Sequence, residues 1–494
     1  MSNFTSSAML SERSSAPQIR AKAPRLLVMM LALLTLTGCF AVGPDYVRPD
    51  IPAPVEWSRG LRGGLSATEP EAQTLAQWWA TLRDPDLSNL IERATTGNLD
   101  LKKAQARVRE ARARRGVAQA GLFPTVDVTG SATRSRSSEQ TGAGATRELY
   151  KVGFDASWEI DVFGRVRRSV EAAQGDIEAS EADYHDVLVS LLAEVALNYV
   201  ETRTLQTQLQ VAEDNLKAQM ETLQITEWRY AAGLVSRLDV EQAKVNLENT
   251  RSQLPKLRSG IEEAKNRLAV LLGVFPGALE GKLSPRKPIP EAPVEVAVGV
   301  PAEVLRRRPD VRRAERQLAA QTARVGVATA DLYPRFSLPG SIGLEALSTD
   351  HLFSASSRIA SIAGSFAWTF FKGGAIRQNI EVQNALQEQA LEQYEATILA
   401  ALEDVENALV AFAEEQERRQ ALAEATQAAQ RAAELARDQY ASGLIDFQIV
   451  LDAERSLLSS QDQLAQSRGQ VTSNLISLYK ALGGGWTPMT GIQP

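Results

Sequence analysis

Residues 229–240 read "RYAAGLVSRLDV" and residues 439–450 read "QYASGLIDFQIV". Tyr230, Gly233, Leu234 and Val240 return as Tyr440, Gly443, Leu444 and Val450, each 210 positions further on. The offset holds without a gap elsewhere. "GVAQAGLFPTV" (116–126) meets "GVATADLYPRF" (326–336), Trp158 meets Trp368, Gly164 meets Gly374, and Leu268, Leu272 and Gly273 meet Leu478, Leu482 and Gly483. The pattern predicts an internal duplication of a whole architectural unit. Its period is far longer than the 20–50 residues of a solenoid.

Each unit has the same order of signals. A helix of modest length (100–121, 310–331) is stopped by Pro124 or Pro334. Two strand-like stretches follow, then a very long helix predicted over 176–232 and 375–442. Gly233 and Gly443 close these helices as C-terminal caps would. Ser236 and Asp446 then stand where the next helices need N-caps, with Asp239 completing a capping-box pattern in the first copy. A further long helix ends each unit at Gly273 or Gly483. At 1.5 Å per residue the longest helices would extend roughly 85–100 Å, too far for a compact domain. Leu188, Leu191, Val195, Tyr199, Leu205, Leu209, Ala212, Leu216, Met220 and Leu223 are spaced for coiled-coil packing.

In all four strand segments the apolar side chains fall on even numbers. Val126, Val128, Val152, Phe154, Trp158 and Ile160 do so in the first copy, and Phe336, Leu338, Ile342, Leu344, Ile362 and Phe366 in the second. Odd positions carry Asp127, Lys151, Asp155, Glu159, Ser337 and Ser341. One such hairpin alone reads as a half-buried sheet in a soluble protein. Pro339 is tolerable only at an edge or bend.

The N-terminal region changes that reading. Arg13, Arg20, Lys22 and Arg25 precede the apolar run "LLVMMLALLTLTG" (26–38), which is too short for a comfortable membrane span. It ends in "LTGC", so Cys39, the single cysteine, stands where a bacterial lipobox places its lipidated residue, with Phe40 rather than Asp after it. Under the usual bacterial sorting rule, that resemblance implies the outer membrane. The strands then read as membrane-spanning. Four strands cannot close a barrel, and an open sheet edge cannot face lipid. Several chains must share one barrel.

Composition narrows the function. A net charge of −6 with no basic block gives no reason to expect nucleic acid. One cysteine excludes an intramolecular disulfide, and two distant histidines, His185 and His351, leave little for a metal or a nucleophile pair. No P-loop, GxSxG or HExxH motif is present; "LGGGW" (482–486) is a helix-ending glycine run. No enzyme, cofactor or metal is expected.

The motifs "GLFPTVDVTGS", "LYPRFSLPGS", "WEIDVFGRVRRSVEAA", "ALEDVENALVAFAEEQERR", "VLDAERSLLSSQDQLAQSR" and "LYKALGGGW" resemble those of TolC-type outer-membrane efflux proteins (outer membrane factors), most closely the OprM/NodT-like lipoprotein branch. The resemblance covers Gly43 to Trp486. It implies an α+β membrane protein and a homotrimer. Four strands per chain would form a shared twelve-stranded β-barrel, continued by a long periplasmic α-helical barrel. It implies an exit duct for drugs or other small toxic compounds, working with a periplasmic adaptor and an inner-membrane pump of the resistance–nodulation–division class. An equatorial region would occupy 75–95 and 283–305. The chain divides accordingly into a signal peptide (1–38), a lipidated strap (39–74), a first repeat (75–282), a Pro-rich connector (283–302), a second repeat (303–486) and a tail (487–494).

The resemblance also implies a closed periplasmic aperture. Asp452, with Gln448 one turn earlier, matches the acidic gate position. Asp239 and Tyr440 match the acid and phenol of a network joining the two helix pairs. The family's arginine is Ile445 here, leaving Arg237 as the substitute. Two other readings stay open: a duct for type I protein secretion, and a structural coiled-coil lipoprotein.

Overall fold

The computed structural model describes residues 41–50, 52, 54–293 and 295–487. The expected leader, the lipidation site Cys39 and the tail beyond Thr487 lie outside the described residues. The elements are β1 (Leu65–Ser66), α1 (Ala72–Ala76), a 3-10 turn (Trp78–Leu82), α2 (Pro85–Gly97), α3 (Leu99–Ala120), β2 (Thr125–Arg136), β3 (Thr146–Ile160), α4 (Arg165–Ala231), α5 (Arg237–Leu271) and α6 (Glu280–Leu283). There follow β4 (Val296–Ala297), α7 (Pro301–Arg307), α8 (Pro309–Ala330), β5 (Arg335–Ala346), β6 (Arg358–Ile362), β7 (Ser365–Ala367), α9 (Ala375–Ala441) and α10 (Phe447–Ala481). The pairs α3/α8, β2/β5, α4/α9 and α5/α10 each have equal lengths and start 210 positions apart.

Of the described residues, 41–43, 122–168 and 326–376 form one compact unit and the remainder a second. The first is an antiparallel sheet in the order β2-β3-β5-β6, with β7 also on β5. Its register pairs even residues with even. Val128 opposes Phe154, Phe154 opposes Ile342, and Ile342 opposes Ala360. All even side chains therefore share one face, and that face is uncovered: Val128, Ile342 and Phe366 are 72%, 63% and 70% exposed. The odd face is polar and laced by short hydroxyl contacts: Thr129 to Asp155, Ser337 to Ser365 and Ser341 to Ser361, each 2.7 Å. Near its 130–136 end the apolar stripe gives way to Arg134, which sits 3.6 Å from Glu148.

The fourth strand differs from the expected continuous one. It is broken into β6 and β7, both in the same register on β5. Pro339 causes the gap. Ala363 donates its N–H to the Pro339 carbonyl at 3.0 Å, but Pro339 has no N–H to return, so the pair that should join the two pieces holds one bond instead of two.

The second unit is helical. α4 and α9 each run 67 residues, about 100 Å at 1.5 Å per residue. α4 starts eleven positions before the expected 176, because the helix continues through Gly175. A Cβ there would lie 2.9–3.1 Å from Ala320, so the glycine permits a close crossing of α4 and α8 instead of breaking the helix. The core gathers Leu87, Val195, Tyr199, Leu268, Phe412 and Leu475, all fully buried or nearly so. Trp78 stacks on Tyr479 with ring centroids 5.6 Å apart. β1 and β4 pair in parallel, and Trp57 Nε1 donates to the Gly299 carbonyl at 2.9 Å, fastening the strap to the connector.

The halves solve one local problem differently. Asn98 Nδ2 donates to the Leu271 carbonyl at 2.9 Å at the end of α5. Its counterpart Arg308 donates to the Ala481 carbonyl at 3.0 Å at the end of α10. Arg308 is nearly buried and is held by both carboxylate oxygens of Asp310 (3.0 and 2.6 Å) and by Asp404 (3.0 Å). Burial alone would raise the Asp310 carboxyl, but hydrogen bonding and the charge of Arg308 outweigh it and hold the group below its ordinary value of 3.8. A depressed carboxyl contributes stability above its unfolded value and loses it as pH falls through the folded one. Arg308→Met should therefore cost about 3–5 kcal/mol at neutral pH by stranding a buried carboxylate. Thermal unfolding as a function of pH checks this: the difference from wild type should shrink below about pH 4.

Candidate functional site

The two hairpins α4/α5 and α9/α10 reverse at Gly233 (φ 69°) and Gly443 (φ 78°). Both turns close with the same pair of bonds. Gly233 N donates to the Tyr230 carbonyl and Leu234 N to that of Arg229, each at 2.9 Å; Gly443 and Leu444 repeat this on Tyr440 (2.9 Å) and Gln439 (2.8 Å). These are Schellman caps, in which only glycine takes the left-handed position without strain. Ser236 caps α5, accepting from Asp239 N at 3.3 Å, while Asp239 accepts from Ser236 N at 2.9 Å. Asp446 stands at the N-cap of α10 but makes no side-chain capping bond, contrary to expectation. The residue three on is Ile449, so no reciprocal box can form there.

The structure does not bring Asp239 to Tyr440. Asp239 is engaged by its own cap, and Arg237 pairs with Glu241 at 3.7 Å on the surface. The basic partner of Tyr440 is Arg229. Its guanidinium lies 4.6 Å from the ring centroid and donates to the carbonyls of Tyr440 and Ala441, the second at 3.3 Å. A cation at these terminal carbonyls meets the negative end of the α9 dipole. Tyr440 itself is buried against Phe447, with its hydroxyl 3.5 Å from Thr226 Oγ1. Asp452 and Gln448 are exposed, and Gln448 Nε2 donates to Asp452 Oδ1 at 3.1 Å.

The most connected group at the tip is Glu454, 1% exposed. One oxygen accepts from Thr222 of α4 at 2.7 Å and from Arg437 of α9 at 3.0 Å; the other accepts from Asn246 of α5 at 3.4 Å. Arg455 in turn donates to Asn246 at 3.2 Å. A single carboxylate on α10 thus ties together all four helices. Near it the buried face of α4 is polar, through Gln219, Thr222 and Thr226, and Met220 is 51% exposed rather than packed as expected. The signal for Glu454 was present in the sequence. Phe447, Val450, Leu451, Glu454 and Leu457 form one stripe at helical spacing, with a carboxylate at a core position. Arg229 had no comparable signal.

The charges at the tip are tied to hydroxyls, amides, carbonyls and each other across a helix bundle. Among the described residues no group of three or more His, Cys, Asp or Glu gathers as a metal site.

Comparison with known proteins agrees with this architecture. The family model for "Outer membrane efflux protein" matches residues 90–274 and again 300–484. Nodulation protein T of Rhizobium leguminosarum bv. trifolii is 30% identical over 462 residues, covering 92% of this chain and 96% of that protein. The solvent efflux pump outer membrane protein SrpC of Pseudomonas putida is 32% identical, covering 93% and 98%. Among solved structures, the outer-membrane channel OprN superposes with a TM-score of 0.86 at 37% identity, covering 90% of this chain and all of that one.

Glu454→Gln should leave Arg437 without its carboxylate and loosen the four-helix tie by about 3 kcal/mol. Hydrogen exchange would then accelerate around residues 222–246 and 437–455 and stay unchanged around Leu268 and Leu475; uniform protection would refute the hub. Asp239→Ala should remove about 1 kcal/mol through the lost capping box, read as faster exchange at the start of α5.

Proposed function

The chain belongs to the outer membrane efflux protein family and is an outer-membrane efflux channel; from that premise we propose that it works as a homotrimeric exit duct of a tripartite system. Each protomer contributes four strands, the last interrupted at Pro339, to one twelve-stranded barrel. The helices of the duplicated repeats (75–282 and 303–486) form the periplasmic tunnel, and Cys39 anchors the strap by lipidation. The observation that carries this reading is the sheet. Its even face is apolar and uncovered, its odd face polar, and its two end strands each pair on one side only. In hydrocarbon an unpaired edge costs several kcal/mol per exposed backbone group, and symmetric closure removes that cost.

The hairpin tips support a partner. Leu234 and Leu444 follow the two turning glycines and are 67% and 74% exposed. Paired apolar tips of this kind suit docking by a periplasmic adaptor, which in turn couples to an inner-membrane transporter of the resistance–nodulation–division class. The cargo is a small toxic compound, the class to which the solvent of the Pseudomonas relative belongs. Three Asp452 side chains around the axis would favour cations at the aperture, and opening would require the Arg229–Tyr440 and Glu454 ties to release.

Single-channel recording in planar bilayers, wild type beside Asp452→Ala, tests this. Small cation-selective currents that grow and lose selectivity in the variant are expected. Currents unaffected by the substitution would keep the duct and discard the aspartate gate; a purified monomer without currents would overturn the trimeric duct.

A further inference from the structure

The helical unit holds a cavity of 1040 Å³, formed by the strap, α3, α4, α7, α8 and the segment after α10. It lies far from the hairpin tip: His185 on its wall and Thr222 of the tip network are separated by about 55 Å along α4 at 1.5 Å per residue. On α4 the lining residues Gln174, Glu178, Glu181 and His185 recur at intervals of four, three and four, so one helix face is turned to the cavity.

Charge dominates its wall. Six arginines line it, Arg48, Arg112, Arg115, Arg306, Arg312 and Arg316, against three glutamates. The glutamates are taken: Glu181 pairs with Arg112 at 2.7 Å, Glu178 with Arg316 at 3.2 Å, and Glu315 with Arg316 and with Arg48, the latter at 3.5 Å. Arg115, Arg306 and Arg312 have no carboxylate within salt-bridge distance among the described residues. Arg312 donates Nε to the Arg306 carbonyl at 3.0 Å and lies 5.2 Å over the ring of Trp486. Burial lowers its pKa, and the charges of Arg48 and Arg316 act in the same direction against the raising effect of Glu315.

A second, independent observation points the same way. Two buried donors at this wall, Arg115 Nε and Trp486 Nε1, have no hydrogen-bond partners, nor do Gln174 Oε1, an acceptor, and His185 Nδ1. Trp486 is only 8% exposed, and its ring stacks on His185 at 4.5 Å. Buried donors are rarely left unmade. A wall with three surplus guanidinium forks and orphaned donors is built for acceptor oxygens, and guanidinium binds such oxygens bidentately. A solvated basic surface would explain the arginines but not the buried orphan atoms.

We propose that this cavity binds a small multivalent oxyanion of the phosphate class, with Arg115, Arg306 and Arg312 as its countercharges. Such a ligand bridges α3, α7, α8 and the chain after α10, and so stabilises the helical unit by mass action without touching the tip.

The test uses the full-length protein in detergent, with sodium pyrophosphate and glycerol phosphate titrated at constant ionic strength. Calorimetry should show saturable binding, one per chain, and thermal unfolding should shift upward with concentration. Arg312→Gln and Arg115→Gln should each weaken binding tenfold or more while single-channel conductance stays at the wild-type value. Mass spectrometry of protein purified from membranes separates the sources. A phospholipid that copurifies with wild type and is lost in both variants identifies a lipid headgroup; binding of the soluble probes with no copurifying lipid identifies a free phosphate compound. Absence of saturable binding up to millimolar probe, or equal binding by wild type and both variants, overturns the proposal.

Discussion

Unpaired backbone at the two ends of one sheet is the constraint on which the rest depends. Among the described residues β2 pairs only with β3, and β6 and β7 pair only with β5. The even face of that sheet is hydrocarbon-like and the odd face is polar. Water would solvate the edges but not the even face; lipid would solvate the face but not the edges. The proposed closure of the sheet with other copies of itself would meet both demands together. The long helices then follow, because each pair of strands leads directly into one of them, at Arg165 and at Ala375.

The parts written as periodicity were legible in the sequence. The even-numbered apolar stripe, two very long helices and the turning glycines follow from side-chain spacing and from the conformational demands of a helix end. Two expectations fail at special residues. The first long helix is expected only from 176, but Gly175 lies inside it and serves a close crossing with Ala320. Pro339 reads as tolerable at an edge or bend, yet it divides the strand opposite it. At the tip, the expected pairing of Asp239 with Tyr440 is not among the contacts of the described residues. Asp239 caps its own helix, and the guanidinium at Tyr440 comes from Arg229, on the other hairpin. Such long-range pairings depend on how two hairpins pack, and spacing within either one carries no record of that.

Glu454 and Arg308 follow a common logic at different levels of the helical unit. Each is a charged side chain placed where a hydrophobic one would pack, and each binds groups from several helices. Buried charges of this kind are costly to strand, so they favour one arrangement sharply over its neighbours. At Arg308 the bonds fix helix ends against the core. At Glu454 they join the four helices of the two hairpins next to the turns. The cavity beside Trp486 departs from that logic, since its guanidinium groups outnumber the carboxylates available to them.

The even register of the sheet restricts how this chain can vary. Because opposed residues always share parity, inserting one residue within β3 would carry every side chain on one flank to the opposite face. Apolar groups would enter the polar side and charges would meet the outside. Two-residue changes preserve the alternation, and the segments 137–145 and 347–357 lie between strands, outside the alternating pattern. Length variation in descendants of this sequence should therefore accumulate in those segments, leaving the strands to diverge by substitution alone.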